Sequence, residues 1–236
     1  MSLADCGGLE KTVVAIDGPA GSGKSTVARQ SARALGFDYV DTGAMYRAIT
    51  LSALRQGIDP GDASALAKIA KESIVAFKQT ADGSLRVTLN DKDITDGIRM
   101  PDVTANVSAV SAHAGVREAL VDRQREMAAM ALRGVVIEGR DVGTVVFPQA
   151  MLKIYLHASI EERARRRQKD LAQAGVSVDD GELVKLLKTR DRLDSSRDLS
   201  PLAKAGDAMV VDTTKMTIAE AVGLITRLTQ EKRGAV

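Results

Sequence analysis

Ala15-Ile16-Asp17-Gly18-Pro19-Ala20-Gly21-Ser22-Gly23-Lys24-Ser25-Thr26 is the stretch that decides how the rest of the chain is read. It spells G-x-x-x-x-G-K-S between the apolar run Val13 to Ile16 and a segment of helical periodicity, which is the context of a phosphate-binding loop. The glycines let backbone N–H groups turn inward around polyphosphate oxygens. Lys24 adds a mobile positive charge, and Ser25 can offer its hydroxyl to Mg²⁺. The helix that follows points its N-terminus at the same anion, so dipole and loop agree. A plain strand-to-helix connector also uses glycine, but it has no need of Lys-Ser after the last one. Motors, GTPases, transporters and small-molecule kinases share such a loop, so the reaction has to be read from the rest of the chain.

Outward from the loop, Val27, Ala28, Ala32 and Leu35 repeat at helical spacing and Gly36 supplies a C-terminal stop. Phe37 to Val40 reads as a short strand, followed by a helix ending near Gly57 and another capped by Asp62. Ile74 to Lys78, Leu85 to Leu89 and Lys92 to Ile94 read as short strands, with turns at Ala81-Asp82-Gly83 and Asn90-Asp91, predicting a small antiparallel meander. Pro101 fits the first position of a helix, and helical sequence restarts around Val116 with Leu120, Met127 and Met130 as an apolar stripe assigned to the core. Val135 to Ile137, Leu152 to Leu156 and Met209 to Val211 are further strands. Ser159-x-x-Glu162 and Thr217-x-x-Glu220 read as capping boxes, and Asp179 as a cap for the helix through Leu183, Leu186 and Leu187. Strands separated by helices imply a parallel sheet with ligands beyond its C-terminal edge.

The chain has 236 residues, enough for one sizeable domain with an insertion or for two small ones. A net charge of +2 argues against a dedicated nucleic-acid binder, and the single cysteine, Cys6, excludes an internal disulfide framework and fits a reducing cytoplasm. No apolar run reaches the roughly 18 residues of a membrane span, and the start lacks the apolar core of a signal peptide. A soluble, cytoplasmic protein is expected, with residues 1–10 as a tail.

Beyond the loop, each polar cluster has more than one reading. Asp41-Thr42-Gly43-Ala44-Met45-Tyr46-Arg47 places a guanidinium that could grip a phosphate, with Thr42 and Tyr46 lining a substrate pocket, yet it also reads as a capped helix start. Glu138-Gly139-Arg140-Asp141 fits a metal-assisting carboxylate or a salt-bridged loop. The run from Arg163 to Lys169 fits a solvated helix face, transition-state arginines or an RNA patch, although aromatic residues are too scarce for base stacking along it. His113 and His157 lie outside any ligand-spaced cluster and read as structural. Asn90-Asp91-Lys92-Asp93 matches the guanine-reading N-K-x-D only when scrambled, which argues against a GTPase.

GPAGSGKST, DTGAMYR, VREAL, EGRDVGTVVFP and RDRLDSSR occur in the order found in the bacterial cytidylate (CMP) kinase family, which the chain resembles from about Val13 to the C-terminal helix. The resemblance implies an α/β fold of the P-loop nucleoside monophosphate kinase type: a five-stranded parallel sheet with helices on both faces, a small antiparallel β insert and a helical lid. It implies one kinase domain over 11–236, with a monophosphate-binding insert at 70–100 and a lid at 160–176. Carried over by position, Arg47, Arg140 and Arg197 resemble phosphate-side contacts to CMP. Thr42, Ser108, Arg117 and Asp141 resemble the group around cytosine, Arg190 and Asp194 the sugar contact, Arg163 a residue near adenine and Arg167 a contact to ATP phosphates.

The activity so implied is transfer of the γ-phosphoryl of ATP to CMP or dCMP, with Mg²⁺ as cofactor. Lys24 and the loop amides would hold the ATP phosphates and Ser25 the metal, while arginines neutralise the migrating charge. The partners expected are these small molecules and neither nucleic acid nor membrane, and nothing demands more than a monomer. A kinase for another small acceptor and an RNA-dependent P-loop ATPase are the competing readings.

Overall fold

A computed structural model describes residues 12–80, 84–173 and 178–234. The tail at 1–10, the turn at Ala81-Asp82-Gly83 and positions 174–176 of the expected lid therefore lie outside the described residues. Contacts divide the chain into two compact units, Met1–Tyr39 with Ala128–Val236, and Val40–Met127.

A five-stranded sheet has the order β2-β6-β1-β7-β8, with β1 at Val13–Asp17, β2 at Asp38–Asp41, β6 at Val135–Gly139, β7 at Leu152–His157 and β8 at Met209–Asp212, and all of it but the last two residues of β2 belongs to the first unit. β1 runs parallel to both β6 and β7, and β7 to β8. All five residues of β1 and of β6 are buried, as two-sided burial of a central parallel strand requires, which is why each opens on an apolar run before its buried acid. β8 closes one edge, and its Met209 and Val210 stay exposed.

Helix α1, Lys24–Leu35, packs on β1 and β6 and against α8, Ile218–Gly234. Val27, Ala28 and Ala32 of α1 join Ile16, Val136, Ile154, Leu156 and Ile225 in the core. Gly36 ends α1 in a left-handed conformation with its N–H donating to the Ala32 and Arg33 carbonyls, the stop read from the sequence.

The register fixes what meets at the C-terminal edge of the sheet. Asp17 pairs with Gly139 and with Tyr155, and His157 with Asp212, so the loop after β1, the Arg140 segment and the loop after β8 all leave from one edge. After β6 the chain makes a single π-helical turn, Val142–Val146. Helices α6, Ile160–Gln173, and α7, Asp180–Ser195, pack on each other, and Ala164, Leu183 and Leu187 cover Ala20 of the glycine-rich loop.

The second unit holds α2, Thr42–Arg55, packed on α3, Ala63–Glu72, and on α4, Pro101–Val110, together with most of α5, Ala114–Met130. It also holds the antiparallel sheet β3-β4-β5, at Val75–Gln79, Leu85–Leu89 and Lys92–Asp93. Asn90 and Asp91 both take positive φ, 48° and 63°, the backbone twist of a tight hairpin turn between β4 and β5.

Most caps stand where the residues predicted them. Asp41, Asp62 and Asp179 each accept a backbone N–H at the start of α2, α3 and α7, and Thr217 with Glu220 form a reciprocal box at α8. Ser159 accepts the Glu162 N–H, but Glu162 does not reach back; its carboxylate takes Arg165 and Arg166 instead. The expected apolar stripe of α5 fails at its end, because Met130, in the last turn, is 76% exposed. Among the described residues, no helix is long and apolar enough to cross a membrane.

Candidate active site

In the first unit, Gly18 to Gly23 wrap from the end of β1 to the start of α1. A Cβ on Gly18 would come within 2.1 Å of the Leu156 carbonyl oxygen, so only glycine lets the loop pass this close to β7. Gly23 stands at the N-cap of α1 in a left-handed conformation, and no side chain caps the first turn. Lys24 is 6% exposed and folds back over the loop, donating to the Pro19 carbonyl at 2.7 Å, with the Ser22 hydroxyl at 3.5 Å. Burial pushes its ammonium down to about 7, and Arg140 and Arg190 push the same way, against Glu138 and Asp17. Ser25 is exposed in the first turn of α1, and Thr26 behind it is half-buried.

Two buried carboxylates flank this lysine. Glu138 accepts the Tyr39 hydroxyl at 2.5 Å across neighbouring strands. Asp17 accepts the backbone N–H groups of Val142 at 2.9 Å and Gly143 at 2.7 Å; burial nevertheless raises its carboxyl to about 6, with the charge of Asp141 adding to the effect.

Arg140, Arg190, Asp194 and Arg197 come together as one cluster. Arg140 Nε donates to Asp194 at 2.9 Å, and Arg197 Nε donates to the Asp194 carbonyl. Burial works against the Asp194 charge, yet Arg140, Arg190 and Arg197 hold its carboxyl below the usual carboxylate range. Asp141, next to Arg140, is buried, and its carbonyl gathers the N–H groups of Val145 and Val146 and the Thr144 hydroxyl.

The basic helix α6 divides by face. Arg163 is buried, with one guanidinium nitrogen donating to the Ala20 carbonyl at 3.1 Å and to Asp191 at 2.5 Å. Arg166 donates to the Ser22 carbonyl at 3.1 Å and to the Thr213 carbonyl and hydroxyl, while Glu162 holds its Nε. Arg165 lies exposed on the same Glu162, whose carboxyl the two arginines draw down to about 2. Arg167 is half-buried on α6.

In the second unit, Thr42 is buried at the start of α2 behind the Asp41 cap. Tyr46 and Arg117 meet, the guanidinium lying 5.3 Å from the ring centroid with one N–H on the Ser111 carbonyl. Arg47 donates to the Ile98 carbonyl at 3.1 Å and the Thr104 hydroxyl at 2.9 Å. Ser108 is half-buried on α4, and its carbonyl accepts the Ser111 hydroxyl. His113 bonds the Pro60 carbonyl at 2.8 Å, the structural role expected of it.

Sequence reasoning missed Asp17, Asp191, Thr104 and Thr213. A lone acid closing an apolar strand was a visible signal for Asp17. The other three carry no local signal, since their partners lie far off in sequence.

Residues 14–231 match the family model described as cytidylate kinase. A cytidylate kinase of Pelotomaculum thermopropionicum is 50% identical over 90% of this chain and 93% of its own length. One from Desulforamulus reducens is 52% identical over 92% and 96%. Among solved structures, an uncharacterised protein from Eubacterium ventriosum aligns over 92% of this chain and 98% of its own, with TM-score 0.50 and 13% identity, a likeness of fold alone.

Proposed function

The chain belongs to the cytidylate kinase family, and from that premise we propose which residues carry the transfer of the γ-phosphoryl of ATP to CMP or dCMP, giving ADP and CDP or dCDP. The observation that carries the reading is the meeting, at one sheet edge, of the loop that Lys24 folds over with the Arg140–Asp194–Arg197 contacts. Cations that disfavour one another are stabilised together by a polyphosphate.

In the first unit, the loop from Gly18 to Thr26, through the backbone N–H groups of its residues other than Pro19, holds the ATP phosphates together with Lys24, with Arg163 and Arg167 serving the nucleotide from α6. Arg140 and Arg197 take the acceptor phosphate, Arg190 and Asp194 the sugar, and Asp141 the exocyclic amino group of cytosine. In the second unit, Arg47 serves the acceptor phosphate, and Thr42, Tyr46, Ser108 and Arg117 the nucleoside. A phosphate oxygen of CMP is already anionic, so in-line attack needs positioning and charge neutralisation and no strong base. Segment 160–176 acts as a lid that keeps water from the γ-phosphoryl, and segment 70–100 serves the monophosphate.

Among the described residues, no group of three or more His, Cys, Asp or Glu could hold a metal ion alone. Asp17 and Glu138 are engaged by Val142, Gly143 and Tyr39. The exposed Ser25 hydroxyl beside the loop is a hard oxygen donor, which fits a Mg²⁺ carried on the ATP phosphates and completed by water. Held there, Mg²⁺ would supply positive charge against the polyphosphate, with Ser25 as its protein donor. A net charge of +2 argues against a dedicated nucleic-acid partner and a single cysteine fits a reducing cytoplasm, and nothing in the reaction demands more than a monomer.

Base choice tests the assignment. Cytosine presents an amino donor where uracil presents a carbonyl, and a carbonyl facing a buried carboxylate is mispaired at about 1 to 3 kcal/mol. Asp141→Ala is expected to cut kcat/KM for CMP far more than for UMP, narrowing the preference roughly ten- to a hundredfold. Arg47→Ala should weaken both alike through their shared phosphate. Equal losses for both bases in Asp141→Ala would show that cytosine is read elsewhere.

A further inference from the structure

Asp17 belongs to none of the roles assigned above, yet it is 5% exposed at the last position of β1, immediately before the phosphate loop. Both of its oxygens are used, and both on the same target: Oδ1 accepts the Val142 N–H at 2.9 Å and Oδ2 the Gly143 N–H at 2.7 Å. These are the first two amides after Asp141. On its other side, the Asp141 carbonyl accepts the Val145 N–H at 2.9 Å, the Val146 N–H at 3.3 Å and the Thr144 hydroxyl. The backbone of Asp141 is thus held by its own π-helical turn and by one carboxylate from the neighbouring strand.

The approach is close by design of the sequence. A Cβ on Gly143 would stand 3.3 Å from Asp17 Oδ2 and 3.2 Å from the Lys153 side chain, so an added methyl would press the carboxylate away from its two amides by a few tenths of an ångström. Lys153 is held in place behind it by the Pro148 carbonyl and by Asp207 at 2.9 Å.

We propose that Asp17 is a positioning residue for base selection: by capping the turn after Asp141 it fixes that carboxylate relative to the strand that carries the phosphate loop. The inference rests on the reading of Asp141 as the group that meets cytosine. A buried ionic acceptor is a costly way to hold a turn; burial raises the carboxyl of Asp17 to about 6. An acceptor that takes two backbone donors at once fixes both the distance and the tilt of the turn. Small displacements of a positioned group cost about a hundredfold in rate, so the cap has something to protect.

The test is a double-mutant cycle read as the ratio of kcat/KM for CMP to that for UMP, in the wild type, Asp17→Asn, Asp141→Ala and the double variant, each checked for folding by thermal melting. Asn keeps the shape of Asp17 but turns an amide nitrogen toward one backbone N–H. Asp17→Asn is expected to narrow the CMP-to-UMP ratio about tenfold or more while the KM for ATP stays within about threefold. In the Asp141→Ala background it should change the ratio no further, because both act through one group. Gly143→Ala keeps the charge of Asp17 and displaces it, and should narrow the ratio in the same way, which keeps the test standing if Asp17→Asn fails to fold.

If Asp141→Ala narrows the ratio while Asp17→Asn and Gly143→Ala leave it unchanged, lowering both substrates alike, Asp17 is structural and the inference falls alone. An Asp17→Asn effect that persists in full without Asp141 would overturn it as well. A ratio unmoved by Asp141→Ala itself would remove the base reading, and the inference with it.

Discussion

Burial of Lys24 beside Arg140 and Arg190 brings its ammonium down to about 7, and two measurable behaviours follow. ATP phosphates favour the charged form, so nucleotide binding should take up most of a proton at about pH 8, and the uptake should fade as pH drops through about 7. Calorimetry in buffers of different ionisation enthalpy reads this directly; binding without proton uptake at the higher pH would show that Lys24 is charged in the free protein. The same depression bears on stability. A lysine with a lowered folded-state value contributes stability that is present above its unfolded value of 10.5 and is lost as pH falls through the folded value of about 7. Lys24→Met removes that loss. Between about pH 9 and pH 6 the variant should gain on the wild type by about 2 to 3 kcal/mol, while phosphoryl transfer falls at least about a hundredfold. A stability difference that does not change with pH would contradict the assigned burial effect.

At the scale of elements, what was legible in the residues was whatever is local. Gly36 stopping α1, Asp62 and Asp179 capping α3 and α7, the Thr217-Glu220 box and the Asn90-Asp91 turn all rest on partners within a few positions, so type and spacing announce them. The buried runs of β1 and β6 were legible because two-sided burial leaves no polar alternation. The hold of Asp17 on Val142, 125 positions away, could not be read; the choice of Glu162 is local, but a serine three residues before it and arginines three and four after it fit either set of partners. The division of α6 was equally hidden, because periodicity cannot tell an arginine bonded to a loop carbonyl from one in water. In the structure Arg163, Ala164 and Arg166 tie the first half of the helix to Ala20, Ser22 and Thr213. Hydrogen exchange in the free protein should therefore show protected amides through about the first two turns of α6 and fast exchange toward its C-terminal end. An ATP analogue should slow that end. Uniform fast exchange along α6 would mean that the two arginines do not anchor it.

Contacts divide the chain into two compact units, and each holds part of the set of residues proposed to serve the reaction. The loop, Lys24 and the Arg140–Arg190–Arg197 group around Asp194 belong to the unit built on the parallel sheet. Arg47 and the Tyr46–Arg117 pair belong to the unit that holds the small antiparallel sheet. The family was legible from five motifs in order; the meeting of Arg140 with the Arg190–Asp194–Arg197 stretch, three arginines around one buried carboxylate, was not, since it depends on how segments 54 positions apart meet at one sheet edge. The measurement that bears most directly on the account is ADP release from ATP and Mg²⁺ with CMP, dCMP, UMP, AMP, GMP or RNA as the second component. The account predicts ADP formation matched by CDP or dCDP with CMP and dCMP, a weaker response to UMP, and little ADP with AMP, GMP, RNA or no acceptor. ATP hydrolysis stimulated by RNA without any monophosphate, or a preference for an acceptor other than CMP and dCMP, would contradict it.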